Sequence, residues 1–251
     1  MAKRIGIICA GDREFEPFIP HIQHAAILEK AMLRIWRGRI GEVEVAALFS
    51  GVCKVNAAVA AQVLIDCCHV DVIINVGTAG GLRSDIALFD VAISTEAVYY
   101  DVAEHILTEF HPWLKENGFR ADDELLQLSH VAVDGMENKS NVHWGRMATG
   151  EAFIEDERRE AILCQYNPLT VDMETASIAH VCYVNGIPFL AIRCITDDAQ
   201  HNGIRCFEEN CARASGIAKD VALAVLERIA QREKMRNSAE EGRGREENDH
   251  Q

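Results

Sequence analysis

Four short stretches of the chain bring together residue types able to do chemistry. Gly11-Asp12-Arg13-Glu14 follows the apolar run IGII, and Asn75-Val76-Gly77-Thr78-Ala79-Gly80-Gly81 closes the run DVII. Val171-Asp172-Met173-Glu174-Thr175 stands at the head of a helical pattern, and Arg193-Cys194-Ile195-Thr196-Asp197-Asp198 ends another apolar run. Glycines at the end of a strand let backbone approach a ligand closely, and open α/β sheets place ligands outside the carboxyl ends of their strands. Each stretch also has a purely structural use. A Gly-rich turn can serve packing, and acidic residues in a first helical turn complement the helix dipole. A loop aspartate can cap the helix that follows it, and a charged turn can simply be solvated.

The elements that must position these residues alternate between short β-type runs and helical patterns, which predicts a layered α/β fold. Strands are expected at Arg4–Cys9, Glu44–Phe49, Val72–Val76, Asp90–Tyr99, His143–Ala148 and Phe189–Cys194. Several are continuously apolar, as strands covered on both faces are. Lys54–Cys68 carries Val55, Val59 and Val63 at a helical spacing of four. A second helix is expected over Asp172–Val184, presenting Met173, Ser177 and Val184. A third is expected over about Phe207–Ala230, with Ile217, Val221, Val225 and Ile229 in line. A single domain is expected over residues 1–231. The polar stretch 232–251 lacks periodicity and reads as a disordered tail.

The formal charge is −14 and the sequence pI about 5.1. The last twenty residues contribute only −1 of it, so the acidity belongs to the body of the chain. Nucleic-acid binding needs a basic footprint and is not expected here. No apolar run approaches the ~18 residues of a membrane span, and the apolar run after the initiator is too short for a secretory signal. The nine cysteines are odd in number, and Cys67 and Cys68 are adjacent. They are expected to be reduced, mostly buried thiols of a cytoplasmic protein. No Cys-x-x-Cys or His-x-x-x-His pair supports a zinc site.

In order and spacing, the four stretches resemble the nucleoside phosphorylase/nucleosidase superfamily. Within it they resemble the 5′-methylthioadenosine/S-adenosylhomocysteine nucleosidases. The similarity runs from Ile5 to about Ile229 and includes SGVCKVNAAVAAQVLI, DVIINVGTAGGL, DVAISTEAVYYD, ATGEAFI and VDMETASIAHVCYVNGIPFLAIRCITDDA. It implies a three-layer α/β/α sandwich with a mixed central sheet and an enzyme that releases adenine from adenine nucleosides with water. Such a reaction needs neither metal nor organic cofactor.

Carried over position by position, the resemblance assigns roles. Losing a purine leaves positive charge on the sugar and negative charge on the base. Asp197 would protonate purine N7 as general acid, Glu14 would activate the attacking water, and Glu174 would accept ribose hydroxyls. Phe153 would stack on adenine while the backbone of Ile154 reads its polar edge. Met173 would pack below the sugar, and Phe207 and Val52 would line the substrate site, Phe207 on the 5′ side. Thr78 and Thr196 replace the family's usual serines, keeping a hydroxyl near Asp197. Arg193 would hold an active-site carboxylate in place.

Several positions depart from the family pattern. The superfamily's phosphorylases hold phosphate with an arginine at the strand end where this chain has Asn75. Glu14 in the first loop would repel an anion beside it, which favours hydrolysis. Arg13 leaves phosphorolysis as the alternative. Gly11 replaces a bulky residue expected near the 5′ pocket. The stretch Val102–Arg120 diverges from the family loop that crosses a homodimer interface to close the partner's pocket; its Ile106, Leu107, Phe110, Pro112 and Trp113 could serve that use or pack on their own subunit. Among 5′-methylthioadenosine, S-adenosylhomocysteine, 5′-deoxyadenosine and 6-amino-6-deoxyfutalosine the sequence does not choose. A non-catalytic nucleoside-binding protein is the contrasting reading, and the presence of all three carboxylates argues against it.

Overall fold

The computed structural model describes residues 3–103, 105–110, 114–137, 140–155, 158–198 and 203–248, with side chains to residue 238. The strands are β1 (Arg4–Cys9), β2 (Gln23–Lys30), β3 (Leu33–Ile40), β4 (Val43–Phe49), β5 (Val72–Gly81), β6 (Val91–Tyr99), β7 (Gly118–Arg120), β8 (Val142–Thr149), β9 (Thr170–Asp172) and β10 (Phe189–Asp197). The helices are α1 (Asp12–Phe15), α2 (Lys54–Cys68), α3 (Ile106–Phe110), α4 (Asp123–Asp134), α5 (Arg158–Tyr166), α6 (Thr175–Asn185) and α7 (Ile204–Asn248). A 3-10 turn, Glu16–His21, follows α1.

The strands form one mixed sheet between helical layers, the three-layer arrangement implied by the resemblance. β1 runs parallel to both β4 and β5. β5 pairs with β10, β10 with β6, β6 with β8, β8 with β9, and β9 returns to β5. These five strands therefore close a ring, while the β2–β3 hairpin extends the open side beyond β4. Alternation along β1 serves both layers. Ile5 and Ile7 pack toward α4 and α7 with Leu125, Val221 and Val225, and Ile8 packs toward α2 and α6 with Ala61, Leu64 and Ile178.

The six expected strands form, but β5 and β10 run further than expected. The stretch from Gly77 to Gly81 is strand rather than turn, with no glycine in it at positive φ. Two of its glycines make room for charged side chains. A Cβ on Gly77 would stand 2.5 Å from Glu14 Oε1 and 2.6 Å from Arg193 Nη1, and one on Gly80 would stand 2.9 Å from Asp197 Oδ2. Larger residues here would displace the site.

Three helical expectations change. α2 keeps its predicted limits, but Val55 and Val59 are exposed and Ala57, Ala60, Ala61 and Leu64 form the buried face. Small residues let α2 lie close against the sheet and α6. α6 begins at Thr175, because Asp172 ends β9 and its Oδ1 accepts the amides of Glu174 and Thr175 at 3.0 and 2.9 Å. Ser177 is buried and Val184, two turns on near the end of the helix, is exposed, so the expected face is buried only at its start. In α7 the expected line Val221, Val225, Ile229 is buried, but the helix does not stop at Ala230. It continues through the expected tail to Asn248. Arg232 pairs with Glu124, Lys234 with Glu42 and Glu233 with Lys3, so good helix formers there are also tethered to other elements.

All nine cysteines are free thiols, and Cys9, Cys68, Cys182, Cys194 and Cys211 are buried. Among the described residues, no helix is long and apolar enough to cross a membrane.

Candidate active site

Glu14 sits in α1 at the carboxyl end of β1, only 6 % exposed. Its Oε2 accepts the amides of Ala10 and Gly11 at 2.8 and 3.2 Å. A glutamate reaching back to the amide before its helix is half of a capping box. Its Oε1 accepts both the amide and the hydroxyl of Thr78 from β5, at 2.7 and 2.8 Å. Four donors thus converge on one carboxylate. The Thr78 hydroxyl serves Glu14, not Asp197 as expected.

Arg193 projects from β10 and is wholly buried. Its guanidinium lies 4.0 Å from Glu14, 3.6 Å from Asp172 and 3.6 Å from Glu174. It also donates to Asn75 Oδ1 at 2.8 Å and Thr175 Oγ1 at 3.0 Å. Asn75, noted in the sequence for what it lacks, is therefore an acceptor that fixes this cation. Three carboxylates share one guanidinium, and a buried charge requires such partners.

Those carboxylates divide their work. Asp172 accepts from Thr149, Thr175 and the two amides above and builds the turn into α6. Among the described residues Glu174 accepts the Cys53 amide alone, at 2.9 Å, and it lines the cavity. Burial pushes its carboxyl up to about 7; Asp172 and Glu14 add to the rise, while Arg193 and the Cys53 amide oppose it.

Asp197 ends β10 and is 2 % exposed. Its Oδ1 accepts the Thr196 hydroxyl at 3.0 Å, and its Oδ2 accepts Arg159 Nη1 at 3.1 Å. Burial raises its carboxyl above the ordinary aspartate range, against the lowering by Arg159 and Thr196. Arg159, in α5, escaped the sequence reading. Its helix is short, and only the folded chain brings it 38 residues along to Asp197.

A cavity of about 370 Å³ opens onto these groups, a size common for small-molecule sites. Ten of the expected residues line it: Glu14, Glu174 and Asp197, with Val52, Thr78, Phe153, Ile154, Met173, Thr196 and Phe207. Arg193, expected to bind or to brace, does not reach the cavity wall; it stands behind the carboxylates. The rings of Phe153 and Phe207 meet edge to face at 6.1 Å. Among the described residues, its chain neighbours aside, nothing lies within 4 Å of where a Gly11 Cβ would be, which leaves that part of the wall open. None of the described residues of Val102–Arg120 lines the cavity. Pro112 and Trp113 lie outside the described residues.

Comparison with known proteins shows the family and the fold. The family model of the phosphorylase superfamily matches residues 4–227. A 5′-methylthioadenosine/S-adenosylhomocysteine nucleosidase of Exiguobacterium sp. is 33 % identical over 235 residues, covering 91 % of this chain and 99 % of the relative. Among solved structures, the nucleosidase of that description from Colwellia psychrerythraea, in complex with adenine, has a TM-score of 0.83 at 27 % identity, covering 91 % of this chain and 96 % of the other. The one from S. pneumoniae, bound to a transition-state inhibitor, has a TM-score of 0.81 at 28 % identity, over 89 % and 98 % of the two chains. On its own site and on these likenesses, the chain belongs to the 5′-methylthioadenosine/S-adenosylhomocysteine nucleosidases, N-glycosyl hydrolases of the phosphorylase superfamily.

Proposed function

We propose that this protein hydrolyses the N-glycosidic bond of 5′-modified adenosines, releasing adenine and the ribose derivative. 5′-Methylthioadenosine and S-adenosylhomocysteine are its substrates, with 5′-deoxyadenosine as a further one. In this reading Asp197 passes its proton to N7 as the C1′–N9 bond breaks. Water attacks C1′ and yields a proton to Glu14. Glu174 accepts the ribose hydroxyls, and the oxocarbenium-like sugar forms between carboxylates, as in glycoside hydrolysis generally. Phe153 stacks on the base, the backbone of Ile154 reads its edge, Met173 lies under the sugar and Phe207 covers the 5′ side.

The observation that carries the choice of water is the filling of the first loop by Glu14. The amides of Ala10, Gly11 and Thr78 and the Thr78 hydroxyl converge as an anion site would, and the protein's own carboxylate occupies them. Phosphate brought there would meet spent donors and a like charge. Arg13, exposed beside it, is too little to offset both.

The test is adenine release from 5′-methylthioadenosine, S-adenosylhomocysteine, 5′-deoxyadenosine and 6-amino-6-deoxyfutalosine, each with and without phosphate. Release independent of phosphate is expected, and the ranking defines the 5′ preference. Release only with phosphate would make the protein a phosphorylase. No release from folded protein would leave a binding function.

The protein acts as a homodimer in this reading. Val55 and Val59 on α2 and Tyr183 and Val184 on the adjoining α6 are exposed apolar residues on neighbouring helices. Such a surface favours burial against a partner. Ile106 and Phe110 of α3, exposed and away from their own cavity, are suited to the partner's.

A further inference from the structure

Arg159 is 8 % exposed and does not line the cavity, yet it touches the residue assigned as acid. Its Nη1 donates to the carbonyl of Ile154 at 2.9 Å as well as to Asp197 Oδ2 at 3.1 Å, and its Nη2 donates to the carbonyl of Gly81 at 2.5 Å. Two backbone carbonyls from different elements thus pin the guanidinium before it meets the carboxyl. Gly80 leaves the room, since a Cβ there would stand 2.9 Å from Asp197 Oδ2 and 3.5 Å from Arg159 Nη2. The far oxygen of Asp197 is held by the cation and the near one by Thr196.

This placement matters for an acid that works in a buried site. When Asp197 gives its proton to N7, a carboxylate is left where burial disfavours charge. We propose that Arg159 is a positioning residue that stabilises this carboxylate, strengthening Asp197 as an acid and setting the upper pH limit of turnover. The proposal rests on Asp197 being the general acid. Among the described residues, the other titratable groups facing Asp197 are Asp198, in the next position, and Cys206 of α7. Asp198 acts with burial to retain the proton, and the Cys206 thiol is itself raised and neutral. Arg159 is the cation that opposes them.

The experiment is the pH dependence of kcat/KM for adenine release from 5′-methylthioadenosine by wild type, Arg159→Gln and Arg159→Lys, with Asp197→Asn as control. Removing an opposing charge at this distance moves a carboxyl by roughly 1–3 pH units. The alkaline limb of Arg159→Gln is therefore expected about one unit or more above wild type. Arg159→Lys, whose ammonium makes one point contact in place of the fork, falls between. A lower rate with an unmoved limb would overturn the proposal and leave Arg159 a packing residue. If Arg159→Gln does not fold, the lysine variant decides alone: an upward limb supports the proposal and an unmoved one ends it. Wild-type turnover by Asp197→Asn would instead overturn the assignment of the acid.

Discussion

The amide of Cys53 donates to Glu174 Oε1 at 2.9 Å, joining residues 121 positions apart. Cys53 precedes α2 with φ of +80°, a conformation that L side chains rarely adopt. That unusual backbone aims an amide at a cavity carboxylate, and Lys54 helps to hold it. The Lys54 ammonium meets both oxygens of Asp101 at 2.9 Å, and its amide donates to Glu151 at 3.0 Å.

A β-branched residue at this corner should therefore cost both stability and binding. Cys53→Val is expected to lose about 1–3 kcal/mol from strained backbone and to raise KM several-fold. Cys53→Gly, which tolerates the conformation, should keep KM near wild type. Thermal melts with steady-state kinetics check both variants. Equal KM for the two would show that the corner does not position Glu174.

Asp197→Asn keeps the shape and removes the proton. A positioned general acid is worth about 10²–10⁴ in rate, so kcat should fall by that much while binding of adenine survives. Glu14→Gln should lose turnover to a comparable extent. Measured rates above a tenth of wild type would reassign either role.

Glu174 links activity to pH with a definite sign. In its proposed role the carboxylate form accepts ribose hydroxyls, so kcat/KM should rise with pH through about 7, where its proton leaves. Stability runs the other way. The folded protein keeps a proton that the unfolded chain releases between the ordinary value of 4.5 and about 7, so this group's contribution is full below that window and lost as pH rises across it. Melting temperature followed from pH 5 to 8 (roughly the span set by these values) should fall less steeply in Glu174→Gln.

Arg193→Met would leave Glu14, Asp172 and Glu174 buried together without their shared cation. Removing one member of a buried ionic group costs about 3–5 kcal/mol, and chemical denaturation should register it. A loss below about 1 kcal/mol would mean that the shared guanidinium is not what holds the three carboxylates in place.

Val55→Glu combined with Val59→Glu places charge on the exposed face of α2. If this face meets a second copy, light scattering should show the wild-type dimer replaced by monomer with the fold intact. An unchanged mass would move the interface elsewhere.

The strands that carry the site were legible because both their faces are buried and their sequences are continuously apolar. The β2–β3 hairpin was not. Its turn places Ala31 at φ +51° and Met32 at φ +63°, without the Asn or Gly that normally announce such backbone. The α2 valines kept helical spacing but faced outward, since alanines on the opposite side pack closer. Glu14, Glu174 and Asp197 could be named from motif resemblance, yet Arg159 could not. Its role depends on carbonyls of Ile154 and Gly81 converging in space, and no local pattern encodes that meeting.

The convergence of four donors on Glu14 has a consequence for how the protein meets its substrate. A loop that wraps a solute is ordered only while the solute is present, and part of the binding energy is consumed in closing it. Here the first loop closes on a side chain of its own helix. In the proposed reading the nucleoside enters a floor already set, beside a wall left open at Gly11.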